Sequence, residues 1–381
     1  MDFAYSEEQQ MLADLVGRFV ERDYGFDRRR ALAADGRGFS EENWQQFAQM
    51  GLLGLNVPAE YGGMGATPVE TLIVMEAFGR GLVLEPYVSS AVIGASLLAA
   101  AGSEERKRQL LAAIAEGRCR AALASLEAQG RFDLWHVGTA ARATPDGWVL
   151  SGSKAVVIDG DSADLLLVSA RTSGAASDRK GISLFLVPAG APGVSVRGFP
   201  CIDGRRSAEV SLNNVAVPAA DMLGEPGGAC AAIEWAVDRG IAALCAEAVG
   251  AMARLVELTA EYLRTRKQFG KPIGSFQALQ HRAVDMLVAL EQARSMAFAA
   301  AAGVDAADPA ERRRAVSAAK AMVGISGRAI GQAAVQLHGG MGMTDELPVG
   351  HYFKRLACID LSWGNAEHHV ELYGDHLAME T

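Results

Sequence analysis

The hydrophobic period changes twice along this chain, and that double change rules out most architectures. Before about residue 117 apolar residues recur at helical spacing: Met11, Leu12, Leu15, Val16, Phe19 and Val20 lie on one face. Ser6 followed by Gln9 fits a capping box, in which hydroxyl and amide satisfy the free N–H groups of a helix start. Ser40 is placed to cap a further helix carrying Trp44, Phe47 and Met50. Helical patterning resumes over 69–78 and again through the alanine-rich 91–116. Near residue 118 the pattern becomes strand-like. GWVLSGSKAVVIDG, ADLLLVSART, GISLFLVPAG and AEVSLNNVAVP are short, rich in Val, Leu and Ile, and separated by Gly, Asp, Asn and Pro. They predict antiparallel strands with tight turns, with TSGAASDRKG (172–181) as an exposed hairpin loop. From Cys230 helices return, over 242–264, 276–303, 307–337 and from about Asn365. Helices, then strands, then helices, without βα alternation, predict an α+β chain with segregated domains. The expected bounds are a helical domain over 1–117, a β domain over 118–228 and a helical bundle over 229–381.

Composition narrows the function. With 381 residues, half of them hydrophobic, the chain can bury a large core. A net charge of −9 argues against nucleic acid, whose binders carry a basic face. The runs Arg28–Arg30 and Arg312–Arg314 lie beside acids or in helical stretches and read as solvated helix faces. The five cysteines are scattered and form no CxxC pair, which points to a reducing compartment. MDFAYSEEQQ is acidic where a signal peptide would be basic, and no apolar run nears the roughly 18 residues of a membrane span. The expectation is a cytoplasmic protein with neither a membrane span nor a nucleic-acid partner.

Two segments carry chemistry. YLRTRKQFGKPIGSFQALQHRAVDM (262–286) joins a helix end bearing Arg264, Arg266 and Lys267 to a Gly-Pro-Gly loop and a new helix. Positive charge beside free backbone N–H groups suits a phosphate or pyrophosphate, and equally describes an ordinary helix–loop–helix with a basic edge. AAVQLHGGMGMT (333–344) is a second glycine-rich loop, after a helix, where backbone could approach a ligand or merely cap the helix. It does not follow a strand, so the dinucleotide-binding fingerprint does not apply. His338 reads as a structural histidine.

Together with the layout, these motifs resemble the acyl-CoA dehydrogenase family, over nearly the whole chain. DFAYSEEQQML resembles the family's opening helix, GLLGLNVPAEYGGMG its first loop, and WVLSGSKAVVIDG its β-domain flavin loop. RKQFGKPIGSFQALQ and QLHGGMGMTDELPVGHYFKR are close to its two strongest signatures. More narrowly, ALCAEAVGAM, SFQALQHRAVDMLVALEQARSM and VGHYFKRL resemble small subunits of pimeloyl-CoA dehydrogenases. The resemblance implies an N-terminal helical domain, a middle antiparallel β-barrel-like domain and a C-terminal four-helix bundle. It also implies FAD as cofactor, an acyl-CoA substrate, a dimer-of-dimers tetramer and an electron-transfer flavoprotein as acceptor. FAD lies between subunits there. By this resemblance Arg266 matches the pyrophosphate-binding arginine, with Gln268 and Phe269 beside it. Gln336, Gly339 and Gly340 match residues that meet the adenosine end, and Asn365 and Glu367 match further FAD contacts.

The chain departs from the family at the flavin ring and the substrate. The Trp-x-Thr behind the ring is replaced by Val156 and Ile158, which offer no hydrogen bond. The Thr-Glu-Pro loop is Leu126-Glu127-Ala128, and the Gly-Ser that helps hold acyl-CoA is not recognisable in QGRFDLW. The family's α-proton base, a Glu before a Gly, falls on Trp363, whose indole has no acceptor lone pair. The base position some members use on the long central helix falls on Gly240. Glu247, seven residues on, and Asp238 are the nearest carboxylates, and a buried acid paired with a basic residue is the plain alternative for Glu247.

Trp363 stands in DLSWGNAEHH (360–369). Adjacent histidines point apart on a helix, whereas metal pairs prefer spacings of three or four, so no metal is expected and the pair reads as incidental. Asn365 is also a good N-cap for the last helix. The pattern of losses fits one half of a heteromeric dehydrogenase whose partner chain supplies the ring contacts and the base. A FAD-binding homo-oligomer with an unusual base, or a non-catalytic structural subunit, are the alternatives. The acyl group stays open between a dicarboxylic chain and a bulkier group such as a steroid side chain.

Overall fold

The computed structural model describes residues 5–378. It divides into two compact units, one made of residues 1–31, 68–83 and 241–381, the other of 32–67 and 84–240.

The first unit is helical. It holds α1 (Glu7–Asp23), most of α2 (Phe26–Ala34) and α4 (Pro68–Gly81), with the larger part of α7 (Cys230–Thr265). After these come α8 (Gln277–Gly303), α9 (Pro309–His338), α10 (Pro348–Leu361) and α11 (Ala366–Ala378). The capping box forms: Gln9 N donates to Ser6 Oγ at 3.2 Å and Ser6 N to Gln9 Oε1 at 3.1 Å. Helix α4 crosses α7 at a reciprocal glycine contact. A Cβ on Gly79 would stand 1.9 Å from the Glu247 carbonyl, and one on Gly250 1.9 Å from that of Glu76. Only glycine at both positions lets the two backbones approach so closely. Helix α9 packs against α8, α10 and α11. The sequence outlines four C-terminal helices; among the described residues there are five, because α10 adds a helix with Pro348 in its first turn.

The second unit opens on α3 (Glu41–Gln49), capped by Ser40, whose side chain accepts from Asn43 N at 3.2 Å. It continues through a fully buried π-helical turn, Val88–Gly94, to α5 (Ala95–Ala101) and α6 (Glu104–Ala115). Eight strands then form one sheet: β1 (Ala121–Ala124), β2 (Ala140–Thr144), β3 (Gly147–Ile158), β4 (Leu165–Arg171), β5 (Ile182–Pro188), β6 (Val194–Pro200), β7 (Arg206–Pro218) and β8 (Met222–Leu223). Their order is β6-β7-β3-β2-β4-β5-β8, with β1 on β4. The expected hairpin forms between β4 and β5, which pair from Leu165↔Pro188 to Arg171↔Ile182. The sheet is not wholly antiparallel as expected: β1 runs parallel to β4 from Ala121↔Leu165 to Ala124↔Val168, and β2 meets β4 in parallel at Ala140↔Arg171. One edge of β4 is thus shared between two strands. The core beneath the sheet includes Leu150, Val157, Leu166, Val168, Phe185 and Val210. At about 25 cal/mol per Å² of apolar surface removed from water, this burial is the main force holding the sheet together.

Candidate active site

The two signature segments meet at one end of the helical unit. Tyr262, in the last turn of α7, stacks on His338, the last residue of α9, with centroids 4.4 Å apart and planes 27° apart. The His338 Nδ1 donates to the Ala334 carbonyl at 2.9 Å, and burial holds its basicity below the ordinary histidine value. This histidine is therefore a hinge pin between segments, in keeping with its structural reading. Beyond Tyr262 everything from Arg264 to Gly270 is exposed, and a two-stranded turn, β9 (Lys267–Gln268) with β10 (Lys271–Pro272), carries Phe269 at its tip. Phe269 is 90 % exposed at φ 54°. Gln336, Gly339 and Gly340 are also exposed. A Cβ at Gly340 would meet nothing within 4 Å, and its φ is ordinary, so nothing in this chain requires glycine there. The space it leaves is open to an outside group.

In the β unit, the segments around Val156 and Glu127 are tied together. The register of β3 on β7 shifts between Lys154↔Val210 and Val157↔Ala208, a bulge that turns Val156 outward to 43 % exposure. Ala155 N, released from the ladder, donates to the Leu126 carbonyl at 2.9 Å. Beneath, Lys154 is wholly buried and donates to Glu127 Oε1 at 2.8 Å and Ser169 Oγ at 3.1 Å. Glu127 also accepts from Gly138 N, Thr139 N and the Thr139 hydroxyl, at 2.8, 3.0 and 2.7 Å. Burial pushes the Lys154 ammonium down to about 8 against the pull of Glu127. At Glu127 burial acts the other way, yet the Lys154 charge and the hydrogen bonds outweigh it and hold the carboxyl below its usual range. Arg171 performs a similar service for the QGRFDLW segment. Its guanidinium donates to five carbonyls, those of Trp135, Val137, Ala176, Asp178 and Lys180, at 2.8–3.3 Å, locking two loops together. Neither hub is legible in the sequence, since a lone buried cation leaves no local pattern.

The DLSWGNAEHH stretch is the joint between α10 and α11. Trp363 is buried at φ 53° and Gly364 follows at φ 111°. Asn365 caps α11, accepting from His368 N at 3.1 Å and donating to Glu367 Oε2 at 2.6 Å; Glu367 in turn accepts from Arg328 at 3.2 Å. His369 is not incidental: Nε2 lies 3.1 Å from the Trp363 carbonyl and Nδ1 3.2 Å from Ser317 Oγ. A carbonyl can only accept, so the proton sits on Nε2.

Backbone strain marks the same places. Six non-glycine residues among those described have positive φ, and four fall in these segments: Arg131, Asp159, Phe269 and Trp363. Such conformations cost on the order of 1–2 kcal/mol each and gather where geometry is prescribed by function.

The chain matches the acyl-CoA dehydrogenase N-terminal domain over residues 6–118, the middle domain over 122–215 and the C-terminal domain over 230–378. Acyl-CoA dehydrogenase FadE12 of Mycobacterium tuberculosis is 32% identical over 356 residues, which cover 91% of this chain and 90% of that protein. The chain belongs to the acyl-CoA dehydrogenase family. Among solved folds, the ChsE4–ChsE5 complex from Mycobacterium tuberculosis aligns with a TM-score of 0.90 at 30% identity, covering 99% of each chain. An FAD complex of PigA aligns at 0.91 and 26% identity, covering 100% of each. The protein is thus an acyl-CoA dehydrogenase-type flavin oxidoreductase, and its cofactor is FAD.

An acyl-CoA dehydrogenase needs residues that fit FAD, and this chain fits its two ends unequally. The exposed Arg266, the exposed Gln336 and the unfilled space at Gly340 suit an adenosine diphosphate approaching from outside. Val156, which the resemblance sets at the ring end, offers an exposed hydrocarbon and no side-chain donor. The carboxylates are placed as follows. Glu247 is fully buried, and both its oxygens are taken by Arg355, Nε to Oε1 at 2.6 Å and Nη2 to Oε2 at 2.7 Å. Asp238 is 1 % exposed. Among the described residues no helix is long and apolar enough to cross a membrane.

Proposed function

We propose that this chain is one half of a heteromeric acyl-CoA dehydrogenase, whose partner chain supplies the flavin-ring contacts and the α-proton base. One observation carries the reading: Trp363 fills the position of the family's carboxylate, while the nearest replacement, Glu247, is locked in a bidentate pair with Arg355. An indole has no lone pair for a proton, and a buried carboxylate with both oxygens on a guanidinium has none aimed at substrate. When bound, FAD accepts the hydride from the β-carbon of the acyl thioester. The residues of this chain do the rest of its share. Arg266 offsets pyrophosphate charge, Gln268 and Phe269 flank it, and Gln336, Gly339 and Gly340 receive the adenosine end. The side chains of Asn365 and Glu367 are committed to one another and to the α11 cap, so their part is to hold the start of α11.

The ChsE4–ChsE5 complex, a structural relative, supports a heteromeric assembly; the form proposed for this chain is a dimer of dimers with a second dehydrogenase-like chain. Electrons then leave to an electron-transfer flavoprotein. The narrower similarity to small subunits makes pimeloyl-CoA the first substrate to test. The experiment is expression alone and together with the chain encoded next to it. Alone, the purified protein should be colourless; together, it should be yellow, with a band that bleaches on adding acyl-CoA. Full flavin occupancy of the isolated protein, with acyl-CoA oxidation as fast as that of the pair, would end the proposal.

A further inference from the structure

One cleft of the helical unit lies away from both signature segments. It has a volume of about 600 Å³ and is lined by Tyr5, just before α1, and by residues of α4, α7, α8 and α9. On α8 it begins at Arg294, roughly 25 Å along the helix from the signature loop that precedes Gln277. Its walls are apolar and small. The buried Leu72 of α4, and Ala246 and Val249 of α7, lie on one side. On the other, Ala297, Ala302 and Ala315 stand where longer side chains would close the space. Packed helices normally interdigitate without gaps larger than a water molecule, and a cleft of this size is of the class that takes an organic ligand.

The polar groups of the cleft carry more negative than positive charge. Arg294 is the one cation on its wall, and it already serves two carboxylates, Glu76 at 3.4 Å and Glu291 of its own helix. Glu311, exposed in the first turn of α9, has no ion-pair partner among the described residues. Capping of α9 does not use it, since Asp308 accepts from Ala310 N at 2.9 Å. The arginines that follow, Arg312 to Arg314, do not line the cleft and have partners of their own. Tyr5 adds a hydroxyl that stays protonated, because burial and then the Glu76 charge raise it above the ordinary phenol value.

Apolar walls with carboxylates beside them favour one kind of small molecule. A fatty acid anion would meet the Glu76 and Glu311 charges with the only guanidinium already engaged. A primary ammonium has three N–H donors and no acceptor, which matches carboxylate and phenol oxygens, and an apolar body attached to it can cover the alanines. We propose that this cleft is a second ligand site, for an organic ammonium carrying an alkyl or aryl body. It stands apart from the flavin and acyl-CoA chemistry of the proposed function and does not depend on it.

The probe is octylammonium, with octanoate and octanol as controls of equal chain length, titrated into the full-length protein by calorimetry and by thermal unfolding. Octylammonium should bind at least tenfold more tightly than octanoate, which brings like charge to the carboxylates. It should also raise the unfolding midpoint as its concentration rises. Glu311→Gln should weaken octylammonium about fivefold, the size of an exposed ion pair. Ala302→Phe, at an exposed position of the wall, should fill the cleft and abolish binding. Should that variant not fold, Ala299→Phe, at another exposed position of the wall, takes its place. Octanoate or octanol binding as tightly as octylammonium, or undiminished binding to the filled variant, overturns the proposal. So does the absence of both heat and midpoint shift with octylammonium up to its micelle threshold. Neither flavin nor acyl-CoA enters the measurement, so its outcome leaves the proposed function to its own test.

Discussion

Acid should loosen this protein through one histidine. His369 is 2 % exposed. Burial first, then the nearby Lys320 charge, pushes its basicity from 6.5 to about 3. Above pH 6.5 the ring is neutral in both folded and unfolded chains, and its contribution to stability is whole. Between 6.5 and about 3 only the unfolded chain takes up the proton, so stability falls as pH falls. Each pH unit well inside that window removes about 1.4 kcal/mol, which makes about 2 kcal/mol by pH 5 and about 4 kcal/mol by pH 3. The assay is urea unfolding at pH 7.5 and pH 5.0 for the parent and for His369→Gln. The glutamine amide can still donate to the Trp363 carbonyl but cannot titrate. The other buried histidines, His338 and His351, are shifted the same way and cancel in the comparison. The variant should lose about 2 kcal/mol less on acidification than the parent. Equal losses would falsify the account of His369 as a buried neutral donor.

Three further outcomes follow from the packing. Replacing Glu247 by Gln removes the carboxylate charge that faces the buried Arg355 guanidinium and should cost about 3–5 kcal/mol in unfolding experiments. Turnover per bound flavin in the partnered enzyme should persist, and its complete loss would return Glu247 to the list of bases. Lys154→Met strands Glu127 and should both destabilise by about 3–5 kcal/mol and lower FAD retention, read by absorbance after gel filtration. Adding Glu127→Gln should recover part of the stability. Gly250→Ala drives a methyl into the Glu76 carbonyl, which cannot yield, and should cost about 3 kcal/mol or prevent folding, as judged by thermal unfolding.

Local features were the legible ones. The Ser6 and Ser40 caps span three residues each, so the sequence carries the whole interaction. Strands β3, β4, β5 and β7 announce themselves by β-branched composition. AALA in β1 does not: alanine and leucine favour helix, and only pairing along β4 makes the segment a strand. VSVRGFP in β6 carries only a weak strand signal, with its Arg, Gly and exposed faces. Helix α10 overlaps the end of the glycine-rich signature segment, where the motif masks its helical period. Among site residues, the basic and glycine-rich segments could be named from their composition, but their meeting depends on the Tyr262–His338 stack, 76 residues apart in the chain.

The sequence alone determined the order of helices, strands and helices, the family, and the absence of a carboxylate at position 363. Those properties reside in periodicity and in single residues, which no folding is needed to read. Tertiary structure decided what each charge is for. Whether Glu247 is a base or a strut depends on Arg355, 108 residues away. Whether DLSWGNAEHH is a metal site or a locked turn depends on Lys320, from another helix. A buried charge takes its meaning from the partner that desolvation forces on it, and that partner is chosen by packing across the fold.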